Sequence, residues 1–205
     1  EPVPIAVLAS RRAEVTALID RNLARWHTDG EIRLEHPLYA AWLMNALGPL
    51  TPQVFEDLLV GATDDELDPL TRADWQVRAG QAPSTGAAEA AVRTALSRGD
   101  PLTAERFVGY ISHDADVLLG QILVTTGRSE EGIAAPDRAR VDGTTAAARV
   151  EAASWLGRYL GLMQGDMDQA HQVLREADNE DLDPALRRLL LLGRLWLWIF
   201  GPGER

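Results

Sequence analysis

The residues in this chain whose types could do chemistry are few and scattered. His113 and Asp114 are adjacent and Asp116 follows two positions later. Imidazole and carboxylate are donors that a divalent metal takes when it activates water for hydrolysis. With His36 as an upstream ligand and Asp137 as a downstream one, these residues outline a metal-dependent hydrolytic or small-ligand site in a bundle cleft. They also have a plainer role, because Ser112 or Asp114 stands where a helix beginning near Ala115 needs a side-chain cap. Asp168 and His171 lie three apart, the spacing of a carboxylate–histidine ligand pair on one helical face. No second pair accompanies them, and an acid in a first turn is also what the helix dipole favours.

Two acidic clusters, Asp64-Asp65-Glu66 with Asp68 and Asp178 with Glu180, Asp181 and Asp183, carry enough oxygen for calcium. Neither follows the spacing of an EF-hand loop, and helix capping and solubility account for both. There is no G-x-S-x-G elbow, and four histidines supply no recognisable nucleophile–base set.

Composition narrows the chemistry further. The chain has no cysteine, which removes thiol nucleophiles, disulfides and cysteine-ligated metals together. All 20 basic residues are arginine, so neither a Schiff-base lysine nor a phosphate loop ending in lysine can be present. A net charge of −11 repels free nucleic acid. No cofactor is implied. Arginine in place of lysine, with abundant Ala, Gly, Asp and Leu, points to a high-GC bacterial genome of actinobacterial type. The start at Glu1 carries no secretory pattern, and the cytoplasm is the expected compartment.

The elements that must position these residues read as helices throughout. Val15, Leu18, Ile19 and Leu23 recur at helical spacing over 11–26, up to the stop at His27-Thr28-Asp29-Gly30. Pro37 opens a helix whose expected buried side is Leu38, Trp42, Leu43 and Leu47. Thr51-Pro52 reads as a cap followed by a first-turn proline, opening a short helix through Val54, Phe55, Leu58, Leu59 and Val60 that Gly61 ends. Residues 69–78 are anchored by Trp75, and 81–86 form a Pro/Ser/Gly linker, the one candidate boundary in an otherwise single domain spanning 1–205. An alanine-rich helix over 87–96, one capped by Thr103 and one through Val117, Leu118, Ile122 and Leu123 follow. Residues 128–143, polar and broken by Gly and Pro, are expected to be a loop. No stretch alternates as a strand should.

The last third, 149–200, holds half of the tryptophans. A helix through Trp155, Leu156, Tyr159 and Leu160 stops at Gln164-Gly165-Asp166, where Gly165 supplies a left-handed turn and Asp166 caps the next helix over 167–177. Asp183-Pro184 then starts the most apolar element in the chain. At about 100° per residue, Leu186, Leu189, Leu190, Trp196, Leu197 and Phe200 fall on one side. Leu191, Leu195 and Trp198 share the other side with Arg187 and Arg194. A helix apolar nearly all round is normally covered all round, so this second side is expected to lie inside the fold or to bind a partner. The apolar run is shorter than the roughly 20 residues a bilayer needs, and Arg194 interrupts it. A membrane partner is therefore not expected. Trp26, Trp42, Trp75 and Trp155 are expected in the core.

The hairpin over 149–184 resembles a tetratricopeptide-type repeat. Trp155, Gly157 and Tyr159 mirror that family's tryptophan, small residue and tyrosine, and Ala170, Leu174 and Ala177 mirror its second-helix pattern. Since such repeats are stable in arrays of three or more and no second copy lies upstream, the resemblance implies similar packing rather than membership. Residues 100–195, by the order Leu102-Thr103-Ala104-Glu105, Asp116-Val117-Leu118-Leu119, Trp155 and Gly165-Asp166, resemble the C-terminal part of an actinobacterial domain family of unknown function, which brings no catalytic residues. His113-Asp114 resembles the central dipeptide of the metal-dependent phosphohydrolases named for it. The expectation is an all-α, irregular bundle of about nine or ten helices with a tetratricopeptide-like C-terminal hairpin. It would be non-enzymatic, act through a protein partner or homodimer, and make contact through Leu191, Leu195 and Trp198. The alternative is a metal-dependent hydrolase or ligand-binding domain near His113, Asp114 and Asp116.

Overall fold

The computed structural model describes residues 3–4, 8, 11–27, 31–63, 66–111, 115–178 and 182–201. Among these, eleven α-helices and a small three-stranded sheet are formed, and the multi-helix, all-α reading holds. The chain divides into two compact units, residues 1–94 and 95–205.

The first unit contains the sheet, which the sequence reading missed. Helix α1 (Arg12–Asp20) ends early, and Asn22 takes a left-handed conformation that turns the chain. Strands β1 (Val3–Pro4), β2 (Ala24–Trp26) and β3 (Glu31–Leu34) pair antiparallel in the order β1-β3-β2. With two to four residues each, they are too short for a period of two to show against the helical spacing of Val15, Leu18, Ile19 and Leu23. Val15, Ala24 and Ile32 make a small core between α1 and the sheet.

Helix α2 (Pro37–Leu47) follows, and a 3₁₀ turn over Gly48–Leu50 leads straight into α3 (Thr51–Gly61). Thr51 is thus a first-turn residue rather than a cap. Helix α4 (Pro69–Arg78) packs on α3, where Phe55 meets Trp75 edge-on with ring centroids 6.1 Å apart. The Arg78 guanidinium lies 5.3 Å from the Phe55 ring and pairs with the buried Asp74 carboxylate. Helix α5 (Thr85–Ser97) runs across the division between the units.

Contrary to expectation, α2 has no buried residue, and Leu38, Trp42 and Leu43 are exposed. Trp26 is exposed too, Trp155 is half-buried, and Trp75 alone of the four expected core tryptophans is fully enclosed. Trp26 closes a three-residue strand in a one-layer sheet, where a helical face would have carried it inward.

The second unit is built on close helix packing. It comprises α6 (Pro101–Val108), α7 (Asp116–Thr125), α8 (Ser129–Asp142), α9 (Ala146–Tyr159), α10 (Met167–Ala177) and α11 (Pro184–Phe200). Helix α9 is its centre and touches α7, α8, α10 and α11. It can do so because Ala148, Ala152, Ala153, Ser154 and Gly157 are all buried, so small side chains let neighbours approach on several sides.

The stretch expected to be a loop, 128–143, is mostly helix α8. Its buried positions are Gly132, Ala135, Pro136 and Ala139, spaced three and four apart. A Cβ placed on Gly120 of α7 would come within 2.5 Å of the Pro136 ring, so the proline fills a notch that only glycine leaves open.

One capping device recurs in both units. Asp68-Pro69-Leu70-Thr71 and Asp100-Pro101-Leu102-Thr103 are the same four residues, and each begins a helix. In each, one aspartate oxygen accepts from the threonine N–H, at 3.3 and 3.0 Å, and the other accepts from the threonine hydroxyl, at 2.6 Å in both. The cap of α6 is therefore Asp100, and Thr103 supports it.

Candidate functional site

Asp183 accepts from the Ala185 N–H at 2.6 Å and Pro184 occupies the first turn, which fixes where α11 begins. Its inner side is Leu190, Gly193 and Leu197, all buried. Gly193 allows close approach to α9 and α10, since a Cβ there would sit 3.2 Å from Ser154 Oγ and 3.4 Å from Leu174. Arg194 anchors the flank: one of its Nη atoms donates to the Leu174 carbonyl at 3.3 Å and lies 3.0 Å from Asp178. Arg187 lies 3.7 Å from the same carboxylate.

The outer side is bare. Leu191, Leu192, Leu195 and Ile199 are each about half exposed, and Trp198 is 82% exposed. The expected contact residues Leu191, Leu195 and Trp198 thus lie together on one exposed face. Trp196 and Phe200, expected on the core side, are exposed as well and stack on each other at 4.7 Å. They sit at the margin of the inner side, where α9 gives way to a π-helical turn over Leu160–Gln164. Gly165 ends that turn in the left-handed conformation and Asp166 caps α10 through the Gln169 N–H, both as read from sequence.

Beside this margin runs an open apolar groove. Trp155 and Tyr159 stack nearly parallel, 5.3 Å apart, and with Gln121, Arg158, Met163 and Trp196 they line a cavity of about 390 Å³. A second cavity of about 380 Å³ shares Gln121, Trp155, Tyr159 and Met163 and extends to Leu96 and Pro101. A separate polar cavity, about 220 Å³, is lined by Arg140, whose guanidinium is already held by Asp137 at 2.9 Å and Glu176 at 2.8 Å.

Of the residues proposed for metal chemistry, Asp116, Asp137 and His36 each have another duty. His113 and Asp114 lie outside the described residues. Asp116 pairs with Arg138 at 3.2 Å, Asp137 pairs with Arg140, and His36 caps α2 by accepting from the Leu38 N–H at 3.1 Å. Of the acidic clusters, Asp64, Asp65, Glu180 and Asp181 lie outside the described residues. Glu66 accepts from the Thr63 N–H, Asp68 and Asp183 are caps, and Asp178 holds Arg187 and Arg194. Among the described residues no group of three or more His, Asp or Glu could hold a metal ion, and no helix is long and apolar enough to cross a membrane.

No family model, curated protein or solved structure matches this chain.

Proposed function

We propose that this chain is a non-enzymatic helical domain that works by protein–protein contact through the outer face of α11, around Leu191, Leu195 and Trp198. One observation carries this reading. A helix firmly seated by Leu190, Gly193 and Leu197 leaves seven large apolar side chains exposed on its remaining surface, Trp198 foremost. Tryptophan is enriched at the centres of binding interfaces, and apolar patches beyond roughly 300–600 Å² mark interaction surfaces. The seat matters equally, because a face held in one conformation loses little entropy when a partner covers it. A cytoplasmic protein partner fits a cysteine-free, acidic chain.

The test is a photo-crosslinking phenylalanine analogue placed at position 198 and, as a control, at the exposed Val141 of α8. Irradiation in cells should give a discrete heavier adduct from position 198 and none from 141. Leu195→Glu should abolish it while leaving the helical signal in circular dichroism unchanged. No adduct from position 198, or the same adduct from both positions, would overturn the contact role.

A further inference from the structure

The outer face of α11 has an internal order that points to its occupant. Arg188, Leu191, Leu195 and Trp198 are spaced three, four and three apart, the repeat that makes a straight seam for a second helix. We infer that the occupant is a second copy of this chain, its α11 lying antiparallel on the first about a twofold axis level with Gly193. This rests on the contact role proposed above and names the partner for it.

Antiparallel pairing about that level matches each residue of the seam to a different one. Leu191 packs on the partner's Leu195, and Arg188 lies over the partner's Trp198. Each layer then recurs once by symmetry, giving two leucine layers in the middle and a guanidinium on an indole face at either end, the favoured cation–π pair. Arg188 also approaches the carboxyl end of the partner's α11, where the helix dipole is negative. Its counterpart Arg188 is then about 15 Å away at 1.5 Å per residue, beyond the screening length of about 8 Å at physiological salt.

A parallel pair would instead stack Arg188 on Arg188 and Trp198 on Trp198, with the two dipoles aligned. Arg187 and Arg194 are already engaged by Asp178, and α11 carries no acid. No other charge on the helix therefore opposes the antiparallel arrangement.

The area is sufficient. With an aromatic side chain presenting roughly 150–250 Å², the exposed parts of Leu191, Leu192, Leu195, Trp198 and Ile199 on the outer side amount to about 600 Å², to which Arg188 adds. A standard interface buries about 800 Å² per partner, and a twofold contact uses the same patch on both chains. Opposing this, each chain carries a net charge of −11. Added salt screens that repulsion, so the dimer should tighten as salt rises.

The absence of native cysteine makes the test clean. Light scattering on the full chain should give twice 22.4 kDa. Leu195→Glu should weaken association at least a hundredfold, and Trp198→Ala at least tenfold, with folding checked by circular dichroism. Arg188→Cys and Trp198→Cys proteins, mixed and then oxidised, should form a disulfide-linked dimer, whereas neither should link to itself. The mixed pair keeps the second Arg188–Trp198 layer intact, so the readout does not require destroying the contact. Self-linking of each variant would mean a parallel pair and overturn the inference. A monomer at all concentrations, or association that weakens with salt, would also overturn it. In either of those cases a position-198 photo-adduct of a mass other than twice the chain would leave the contact role standing with a different partner.

Discussion

Helices α2 and α11 both expose tryptophan and leucine, yet they differ in what lies beneath. Helix α2 presents Leu38, Tyr39, Trp42 and Leu43 to solvent and has no buried residue. Helix α11 presents a comparable face, but Leu190 and Leu197 on its inner side are almost completely enclosed by α9 and α10. Exposure alone therefore does not mark a binding surface. A bare apolar face becomes a preorganised one when the opposite side of the same helix is locked, because the partner then meets a fixed shape. On this ground the contact role is proposed for α11 and not for α2.

The sharpest way to break that comparison is to remove its foundation. Leu197→Ala deletes a side chain that is 1% exposed, between α9, α10 and the π-helical turn, and should cost about 3–4 kcal/mol of unfolding free energy. Trp42→Ala removes a larger side chain from α2 and should change stability by less than about 0.5 kcal/mol, as exposed substitutions do. Urea denaturation of the two variants decides the matter. Comparable losses would mean that α2 is seated as firmly as α11, and the distinction would disappear.

The glycine notch between α7 and α8 tests whether the second unit owes its rigidity to close packing. Gly120→Ala places a methyl within 2.5 Å of the Pro136 ring and 2.7 Å of the Gly132 carbonyl oxygen. Neither is the free end of a flexible side chain, so the helices must separate, at about 1–3 kcal/mol. A thermal melt of Gly120→Ala that matches the parent would show that the two helices adjust freely. Gly80, where a Cβ meets nothing, makes a poor control because of its positive φ, and Gly109 serves instead.

The same notch explains what could be read from the sequence and what could not. Large apolar residues at helical spacing reveal a helix that buries bulk, which is why 167–177 and 184–200 were legible down to their capping aspartates. Helix α8 buries Gly132, Ala135, Pro136 and Ala139 at the same spacing, but weighed singly Gly and Pro count as helix breakers, and Ala, a strong helix former, supplies too little apolar bulk to mark a buried face. Only the facing Gly120 turns them into a packing surface, and that partner is not apparent from α8 itself. The sheet was hidden for a different reason: Asn22 diverts the chain just where the helical spacing still runs on, at Leu23. That Leu191, Leu195 and Trp198 share one side of α11 was legible from their spacing, but that this side is exposed was not, because a helix apolar nearly all round is normally covered all round. The groove of Trp155, Tyr159 and Trp196 was not, since it depends on a π-helical turn that no composition rule announces.

The smallest expected effect compares the two units through the cap they share. In the second unit, the Thr103 hydroxyl and then the Thr103 N–H, both donating to the Asp100 carboxylate, hold its pKa below the ordinary aspartate value. A carboxylate whose folded pKa is depressed contributes stability that is fully present above its unfolded pKa, about 3.9. That contribution disappears as pH falls through the lower, folded value. Asp100→Asn keeps an oxygen that can accept from the Thr103 N–H but does not titrate. Its melting temperature should therefore fall less steeply than the parent's as pH drops below about 4, and the two should converge at the acid end. Asp68→Asn, made in the same four-residue sequence at the start of α4, shows whether the first unit responds alike. Parallel pH profiles for Asp100→Asn and the parent would mean that the Thr103 contacts do not distinguish the charged carboxylate from the neutral amide, and that the cap of α6 acts through geometry alone.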